Sequence, residues 1–500
     1  MSEPSSTTPP PQRWWAVALG PALFLLTELL FRPELDLAPE LLASAPEASE
    51  LLVRHALAAT LWIAAWWFTE AIPIPATSLL PLVLFPALGL GSPGEVSTLY
   101  AHELVFLFLG GLLIAIALER TGAHRHIALA LIRVFGRGRR GLVLGFMVAT
   151  AAVSMWISNT ATTVMLLPVA LAVLDSSEEG SRGDRPFTVA LVLGVAYAAN
   201  IGGLGTPIGS PPNLIFQTIY REKTGDEVSF LQWMTYGVPL ILVLLPLTWL
   251  YLVRGLRDGE GGAVSLPELG PRTREQAWVL GIFAVAALLW MTRGNLGGVE
   301  GWGARLAARG IALRDSSVAI AAALLLFLLP RREGGRILDW SVAPRLPWGV
   351  ILLLGAGFAI SSAFDRSGLG LWIGAQVEGF GQLPLPELGL LALILTAIVV
   401  VSLVVTEFAS NAASANILLP VVYGVAVALG TERFPPDLLM ITAALTCTAG
   451  FAVPAGTPPN ALAYATGRVS IGRFVRTGLA VDGLSLVAIV ALVLVHHLAG

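Results

Sequence analysis

The sequence predicts an all-α polytopic membrane protein whose two halves are related to each other. Only 13% of the 500 residues are charged and 55% are hydrophobic, with a mean hydropathy of +0.77. Soluble domains carry about 25% charged residues. Apolar stretches of membrane-spanning length recur along the whole chain, and short polar motifs recur at a nearly constant spacing. The bilayer is therefore the main solvent of this protein.

Eleven apolar stretches are predicted to cross the bilayer, because each approaches the roughly 17 to 25 residues that a transmembrane helix needs. Two further stretches are long enough to enter and return, and polar residues interrupt each of them in its middle. We interpret these two, 141–174 and 386–429, as re-entrant hairpins. The eleven predicted crossings lie at 14–31, 52–69, 74–90, 102–119, 186–220, 232–253, 276–291, 316–330, 348–364, 437–466 and 478–498.

The chain divides into four predicted segments. The first apolar run is longer than a signal-peptide core and follows a single basic residue, Arg13, so we interpret it as a retained helix. Residues 1–51 form the N-terminal segment with this first helix, 52–253 the first inverted repeat, 254–275 a cytoplasmic linker and 276–500 the second inverted repeat.

The distribution of basic residues predicts the orientation, because cytoplasmic loops hold the excess of Lys and Arg. With the N-terminus inside, 20 of the 30 Lys and Arg residues lie on the cytoplasmic side and 10 lie outside. An odd number of crossings then places the C-terminus outside. We expect a multi-pass protein of the bacterial inner membrane.

Two motif pairs define the internal repeat. Ser-Asn-Thr at 158–160 matches Ser-Asn-Ala at 410–412, and the two are 252 residues apart. The segment 207–213 matches 454–460 at a spacing of 247 residues, and both end in Pro-Pro-Asn. Because five crossings and one hairpin separate equivalent points, the second copy enters from the opposite face. Inverted repeats of this kind are typical of secondary transporters with a central binding site.

The four motifs break helices at membrane depth, and broken backbone is tolerated there only where it lines a cavity or is buried in protein. Each break exposes the N-terminus of a half-helix, which attracts an anion, while unwound carbonyl groups are suited to a cation. No Arg or Lys occurs at the breaks. A bound dianion would therefore need cations bound with it, which predicts symport.

The side chains at the breaks suit both kinds of ligand. An asparagine offers an oxygen to a cation and an NH₂ group to a carboxylate, and hydroxyl oxygens are accepted by sodium. The alternative is that these residues only hold helices together. Glu407 is either a functional acid, through which proton coupling is conceivable, or a structural one, and both readings stay open. His124 and His126 are expected to be solvated. The hydroxyl candidates are Ser154, Ser158, Thr206, Ser210, Thr406 and Thr457.

Several other classes of protein are excluded or disfavoured. The net charge of −3 and the lack of a basic tract exclude a nucleic-acid partner. The single cysteine, Cys447, excludes a disulfide framework and a cysteine metal cluster. The chain has no His-Glu-x-x-His or Gly-x-Ser-x-Gly motif, so we predict that it is not an enzyme. An efflux pump, an antiporter and a passive anion channel remain as rivals within transport.

With these motifs the chain resembles the divalent anion/sodium symporters over nearly its whole length. The resemblance rests on Trp-Phe-Thr-Glu-Ala-Ile-Pro at 67–73, the paired Ser-Asn motifs and the two Pro-Pro-Asn breaks. It implies a homodimer in which a scaffold domain holds the dimer contact. A transport domain with both hairpins would move across the membrane as an elevator. It also implies Na⁺ as the co-transported ion and a small dianion as the substrate.

The resemblance also implies the site residues. One sodium site would use Ser154, Ser158, Asn159 and Gly209, and a second would use Thr406, Ala409, Asn411 and Gly456. Substrate carboxylates would be bound by Asn159, Thr160, Ser210, Asn411, Ala412, Thr457 and Pro458.

One position departs from the family pattern, because Ala412 stands where the second tip commonly has a threonine. A hydroxyl donor to the substrate is missing there, which weakens or changes anion recognition. The expected function is sodium-coupled symport of small divalent anions, best represented by C4-dicarboxylates such as succinate, malate or fumarate. Sodium-independent dicarboxylate exchange and transport of citrate or sulfate on the same fold stay open.

Overall fold

The computed structural model describes residues 14–34, 45–135, 138–175, 185–256, 270–295, 299–332 and 334–499. Within these ranges every named element is helical, and the β pairing is a single bridge between Pro330 and Arg336. Nine of the described helices are long and apolar enough to cross a membrane. The prediction of a helical multi-pass membrane protein is confirmed at this level. The count of eleven crossings stays a prediction.

The first half of the described chain contains twelve α-helices, numbered here in chain order. They are α1 (Trp14–Leu30), α2 (Glu50–Thr69), α3 (Ile74–Thr77), α4 (Pro81–Ala87), α5 (Pro93–Leu99), α6 (Glu103–Thr121), α7 (Ala123–Phe135), α8 (Gly138–Ser154), α9 (Asn159–Asp175), α10 (Pro186–Gly203), α11 (Pro211–Thr224) and α12 (Phe230–Val253).

The second half contains ten further α-helices and two short 3₁₀ turns, Trp340–Arg345 and Glu378–Gln382. The helices are α13 (Arg274–Arg293), α14 (Trp302–Ala307), α15 (Asp315–Leu328), α16 (Trp348–Ser367), α17 (Leu369–Ala375), α18 (Glu387–Phe408), α19 (Asn411–Leu429), α20 (Pro436–Thr448), α21 (Pro458–Ala465) and α22 (Ile471–Ala499). Most of the predicted linker 254–275 and much of the predicted N-terminal segment 1–51 lie outside the described residues.

Two helix-turn-helix pairs coincide with the predicted hairpins. Helices α8 and α9 meet at a tip that ends in Ser158, whose Oγ accepts the backbone N–H of Ala161 at 3.2 Å. Helices α18 and α19 meet at Ser410, whose Oγ accepts the N–H of Ala413 at 3.3 Å. Each serine thus caps the returning helix. Whether the pairs enter and leave the bilayer on one face stays a prediction, since α18 and α19 are each long enough to cross.

Two of the predicted crossings are interrupted helices. The stretch 186–220 divides into α10 and α11, and 437–466 divides into α20 and α21. In both, the Pro-Pro pair opens the second helix, where a proline without an N–H group is tolerated. Thr457 caps α21 by accepting the N–H of Asn460 at 3.2 Å. The order of hairpin and interrupted helix is the same in both halves.

Glycines let continuous helices approach the unwound backbone closely. A Cβ added at Gly237 of α12 would lie 2.2 Å from the carbonyl oxygen of Leu204 in the first interruption. A Cβ added at Gly478 of α22 would lie 2.1 Å from the carbonyl oxygen of Phe451 in the second. Atoms are never this close without displacement, so each break depends on a glycine in the helix beside it.

We predict that Gly478→Ala lowers stability while Gly483→Ala does not. A Cβ at Gly483 on the same helix has nothing within 4 Å, so alanine there gains only helix propensity, up to about 1 kcal/mol. Overpacking at Gly478 costs about 1 to 3 kcal/mol. Thermal unfolding of the purified protein in detergent measures both. Equal midpoints for the two variants would contradict the close approach.

Candidate functional site

A cavity of about 860 Å³ lies where the four breaks meet. Its apolar walls include Ile74, Phe108, Leu112 and Val350, from helices outside the breaks. All seven residues predicted to bind substrate line this one cavity, although they come from four separate segments of the chain. They are Asn159, Thr160, Ser210, Asn411, Ala412, Thr457 and Pro458.

The residues predicted to bind sodium lie at the tips or just behind them. Ser158, Asn159, Gly209 and Asn411 line the cavity. The other four are buried and do not appear in its lining: Ser154, Thr406, Ala409 and Gly456.

Oxygen atoms converge behind the first tip. The Ser154 hydroxyl lies 2.7 Å from Oδ1 of Asn159 and 2.8 Å from the carbonyl oxygen of Ala199 in α10. A Cβ at Gly203 would lie 2.6 Å from the same Oδ1, so that glycine leaves room for the asparagine. A hydroxyl, an amide oxygen and a carbonyl are neutral oxygen ligands of the type a hard monovalent cation accepts.

The second tip repeats this arrangement. The Thr406 hydroxyl lies 3.2 Å from Oδ1 of Asn411 and 2.7 Å from the carbonyl oxygen of Cys447 in α20. The hydroxyl, the amide and the carbonyl come from equivalent points of the two repeats. Sequence reasoning missed both carbonyls, because every residue carries one and no side chain marks it.

Two asparagines hold the interrupted backbone in shape. Nδ2 of Asn213 donates to the carbonyl oxygens of Gly203 at 2.9 Å and Thr206 at 2.8 Å. Nδ2 of Asn460 donates to those of Gly450 at 3.2 Å and Val453 at 3.4 Å. Both side chains are fully buried. The asparagine of each Pro-Pro-Asn motif therefore satisfies carbonyls that the break leaves without helix partners.

Hydrogen bonds also cross from one repeat to the other. Nδ2 of Asn200 in α10 donates to Oγ1 of Thr457 at 3.0 Å. The Thr448 hydroxyl in α20 donates to Oγ of Ser210 at 3.2 Å. Sequence reasoning did not single out Asn200 or Thr448. The signal that could have identified Asn200 is an amide side chain about one turn before the Gly-Gly end of an apolar helix.

Glu407 binds the backbone of the second interruption. Its two carboxylate oxygens accept the N–H groups of Ala452 at 2.9 Å and Val453 at 2.6 Å, and Asp482 of α22 accepts that of Phe451 at 3.0 Å. Glu407 is not among the residues that line the cavity. The geometry therefore favours the structural alternative for this acid.

The far end of the cavity is lined by charged and polar residues, among them Glu119, Arg345, His124 and Arg125. Arg345 forms an ion pair with Glu119 at 2.9 Å. The expectation that His124 is solvated is wrong, because its side chain is buried and its Nδ1 lies 2.8 Å from the Leu118 carbonyl oxygen. Burial lowers the pKa of His124 from its usual value. The left-handed turn at Gly122, with φ of 72°, separates α6 from α7 and lets His124, near the start of α7, contact the end of α6.

The fold and the cavity define a multi-pass membrane transporter, and comparisons with known proteins agree. The family model described as "Citrate transporter" matches residues 64–446. The chain is 40% identical over 496 residues to the sodium-dependent dicarboxylate transporter SdcS of Staphylococcus saprophyticus, and 39% identical over 494 residues to SdcS of Staphylococcus aureus strain NCTC 8325. Each alignment covers 95% of this chain and 89% of the relative. The chain therefore belongs to the citrate transporter family and to the divalent anion/sodium symporters.

Two solved structures share the fold at low sequence identity. MtrF of Neisseria gonorrhoeae, described as illuminating a class of antimetabolite efflux pumps, matches with a TM-score of 0.57 and 12% identity, covering 98% of this chain and 95% of that one. The YdaH transporter of Alcanivorax borkumensis matches with a TM-score of 0.53 and 17% identity, covering 81% and 87%. At these identities the likeness concerns the fold alone.

We predict that Asn213→Leu destabilises the protein by about 2 kcal/mol or more. The change keeps the branched shape of the side chain but removes its donors to the carbonyl oxygens of Gly203 and Thr206. The Thr206 carbonyl keeps the N–H of Gly209, whereas a buried carbonyl left without a partner costs about 1 to 3 kcal/mol. The matched control is Thr218→Val on the same helix, whose hydroxyl bonds only the Leu214 carbonyl one turn before it. Thermal unfolding in detergent measures both. An unchanged midpoint for Asn213→Leu would show that the break does not depend on this amide.

Proposed function

We propose that this chain is a sodium-coupled secondary transporter of small divalent anions, with C4-dicarboxylates such as succinate, malate or fumarate as substrates. The observation that carries the proposal is the meeting of four broken helices at one cavity with hydroxyl and amide groups and no Lys or Arg at the breaks. The relatives described as sodium-dependent dicarboxylate transporters support it, since they are similar over nearly the whole chain.

The anion is bound by donors at the starts of four helices. Helices α9, α11, α19 and α21 begin at the breaks. The first N–H groups of α9 and α19 have no partner within the helix, whereas α11 and α21 begin with Pro-Pro and contribute the positive ends of their dipoles. Their partial positive charge favours a carboxylate, and the hydroxyl and amide groups of the seven cavity residues add direct hydrogen bonds. Because the two repeats contribute equivalent groups, each half of the site is suited to one carboxylate of a dicarboxylate.

The cations occupy the oxygen clusters behind the tips. One sodium ion is bound by Ser154, Ser158, Asn159 and Gly209. The second is bound by Thr406, Ala409, Asn411 and Gly456. Each ion offsets the charge of a dianion a few ångströms away, worth about 4 kcal/mol per unit pair at 4 Å with an effective dielectric constant of 20.

The two asparagines of the tips couple sodium to substrate. Oδ1 of Asn159 lies in the first oxygen cluster and Oδ1 of Asn411 in the second, while both residues also line the cavity. A cation on the oxygen orients the NH₂ group toward the carboxylate. Binding of the ion and binding of the anion therefore favour each other, as symport requires.

The cavity faces the cytoplasm if the charge distribution orients the chain as predicted, with the N-terminus inside and the C-terminus outside in the bacterial inner membrane. The cavity lining includes Glu119, near the cytoplasmic end of α6, and Arg345, which pairs with Glu119. On the opposite side, Arg221 of α11 pairs with Glu103 of α6. Lys223 of the same helix pairs with Asp365 of α16. These pairs close the outer entrance in this state.

Opening to the outside would then require α11 to separate from α6 and α16. We propose that this happens by elevator movement of the hairpins and interrupted helices against the rest of the protein, within a homodimer. Such a cycle neither makes nor breaks a covalent bond. The protein therefore acts as a transporter and not as an enzyme. Ala412 has no hydroxyl where the first tip has Thr160, which keeps citrate and sulfate as candidate substrates beside the C4-dicarboxylates.

The proposal is tested by uptake of radiolabelled succinate into proteoliposomes with and without an inward sodium gradient. We predict uptake that requires sodium and falls at least tenfold in Asn159→Ala and in Asn411→Ala, because each change removes a group that both ligands share. Asn295→Ala is the control, since Asn295 lies two residues beyond the end of α13 and its Oδ1 accepts, within the described part of the chain, the N–H of Gly301.

One outcome would contradict symport, and another would contradict the choice of substrate. If sodium has no effect and preloaded dicarboxylate drives uptake, the protein is an exchanger and the cation assignments are wrong. If unlabelled citrate or sulfate competes while malate and fumarate do not, the C4-dicarboxylate assignment is wrong.

A further inference from the structure

Two crossed hydrogen bonds connect the repeats directly at the binding cavity. Asn200 donates to Thr457 at 3.0 Å, and Thr448 donates to Ser210 at 3.2 Å. Ser210 and Thr457 hold equivalent places in the two repeats, 247 residues apart, and Asn200 and Thr448 each directly follow the residue whose carbonyl oxygen accepts the tip hydroxyl. All four side chains are at most 1% exposed. Each repeat therefore positions a cavity hydroxyl that belongs to the other.

The direction of the Asn200 bond follows from its neighbours. Both N–H groups of the Asn460 side chain are occupied by the carbonyls of Gly450 and Val453, so Oδ1 of Asn460 faces Asn200 at 3.3 Å. Only the NH₂ group of Asn200 is a suitable partner for that oxygen. Its two hydrogens are then donated to Asn460 and to Thr457.

The Thr457 hydroxyl is thereby restricted to one role. Its Oγ1 accepts Nδ2 of Asn200 at 3.0 Å and the backbone N–H of Asn460 at 3.2 Å. A hydroxyl oxygen has two lone pairs, so both are occupied and the remaining hydrogen is available only for donation. Thr457 lines the cavity. A hydroxyl that only donates suits a carboxylate oxygen and disfavours a cation or a donor group.

The Ser210 hydroxyl is less restricted. Its Oγ accepts the hydroxyl of Thr448, but it does not cap its own helix, so one lone pair stays available. The difference arises because Thr457 also accepts the backbone N–H of Asn460, whereas Ser210 accepts none from its own helix. The amide of Asn200 has two donors and the hydroxyl of Thr448 has one. Accordingly Oδ1 of Asn213 has no hydrogen-bond partner among the described residues, whereas the equivalent oxygen of Asn460 has Asn200.

Asn200 is a poor choice for stability alone. Its own Oδ1 is buried and has no hydrogen-bond partner within the described part of the chain. A buried polar atom without a partner lowers the stability of the fold. Asn200 therefore has a role beyond packing, and the geometry indicates that this role is to position the Thr457 hydroxyl.

We propose that Asn200 and Thr448 are positioning residues for substrate recognition. Asn200 holds the Thr457 hydroxyl as a donor toward the anion, and Thr448, from the other repeat, occupies one lone pair of the Ser210 hydroxyl and so orients it. The inference rests on the proposed function, since it assumes that a dianion occupies the cavity. Neither residue contacts the anion, and each acts through the hydroxyl of the opposite repeat.

A double-mutant cycle tests the proposal. The KM and kcat for sodium-driven succinate uptake are measured for the intact protein, Asn200→Ala, Thr457→Val and the double variant. We expect each single change to raise the KM about tenfold, as for a lost hydrogen bond to a charged group. The double variant is expected to stay within twofold of Thr457→Val, because Asn200 has nothing left to position. Effects on the KM that multiply in the double variant would overturn the proposal.

A second cycle and a control complete the test. Thr448→Val with Ser210→Ala is expected to be non-additive in the same way, and it decides the question if Asn200→Ala does not fold. Thr446→Val is the matched control, because Thr446 is equally buried on α20 and its hydroxyl bonds only the Thr442 carbonyl. We expect it to keep the KM of the intact protein. Absence of sodium-driven succinate uptake in the intact protein would overturn the proposed function, whereas multiplicative cycles with intact uptake would overturn this inference alone.

Discussion

The structure depends on one constraint, which is that unwound backbone inside a bilayer must find its hydrogen-bond partners within the protein. Here buried side chains supply them. Asn213 and Asn460 bind the carbonyl groups of the two interruptions, and Glu407 binds N–H groups of the second. Because these partners hold the loops open, the starts of the helices that follow can face a cavity. The same groups that satisfy the breaks thereby shape the candidate site.

A second consequence concerns charge. Helix starts and neutral hydroxyl and amide groups favour an anion, but they carry only partial charges. The basic residues named in the cavity lining, Arg125 and Arg345, belong to segments other than the breaks, and Arg345 is paired with Glu119. A dianion at the breaks therefore lacks a full positive charge from the protein. The oxygen clusters around Ser154 and Thr406 are suited to bind sodium ions, and these ions would supply the missing charge.

The sequence predicted the parts of the site that side chains mark. The two spacings between repeats identified all four breaks. The seven residues that the family resemblance implies as substrate ligands line one cavity. The carbonyls of Ala199 and Cys447 could not be found in this way, because backbone oxygens have no sequence signature. Sequence reasoning missed Asn200 and Thr448 because each forms its hydrogen bond with the other repeat, and only the folded structure brings those helices together.

Length and charge patterns were less informative. The arms of the second hairpin are as long as crossing helices, so length alone does not separate a re-entrant pair from two crossings. His124 lies in a basic stretch that suggests solvent, yet the reversal at Gly122 buries it against the Leu118 carbonyl. Local composition reports the average environment of a segment and not the contacts of one side chain.

The central claim is that sodium supplies the charge that the breaks lack, and the affinity of the purified protein for succinate tests it most directly. Calorimetric titration in detergent would compare sodium chloride with choline chloride at equal ionic strength. We predict that replacing sodium raises the Kd for succinate at least tenfold, because binding of the ions and of the anion must be reciprocally coupled. A Kd for succinate that is the same in both salts would contradict the account.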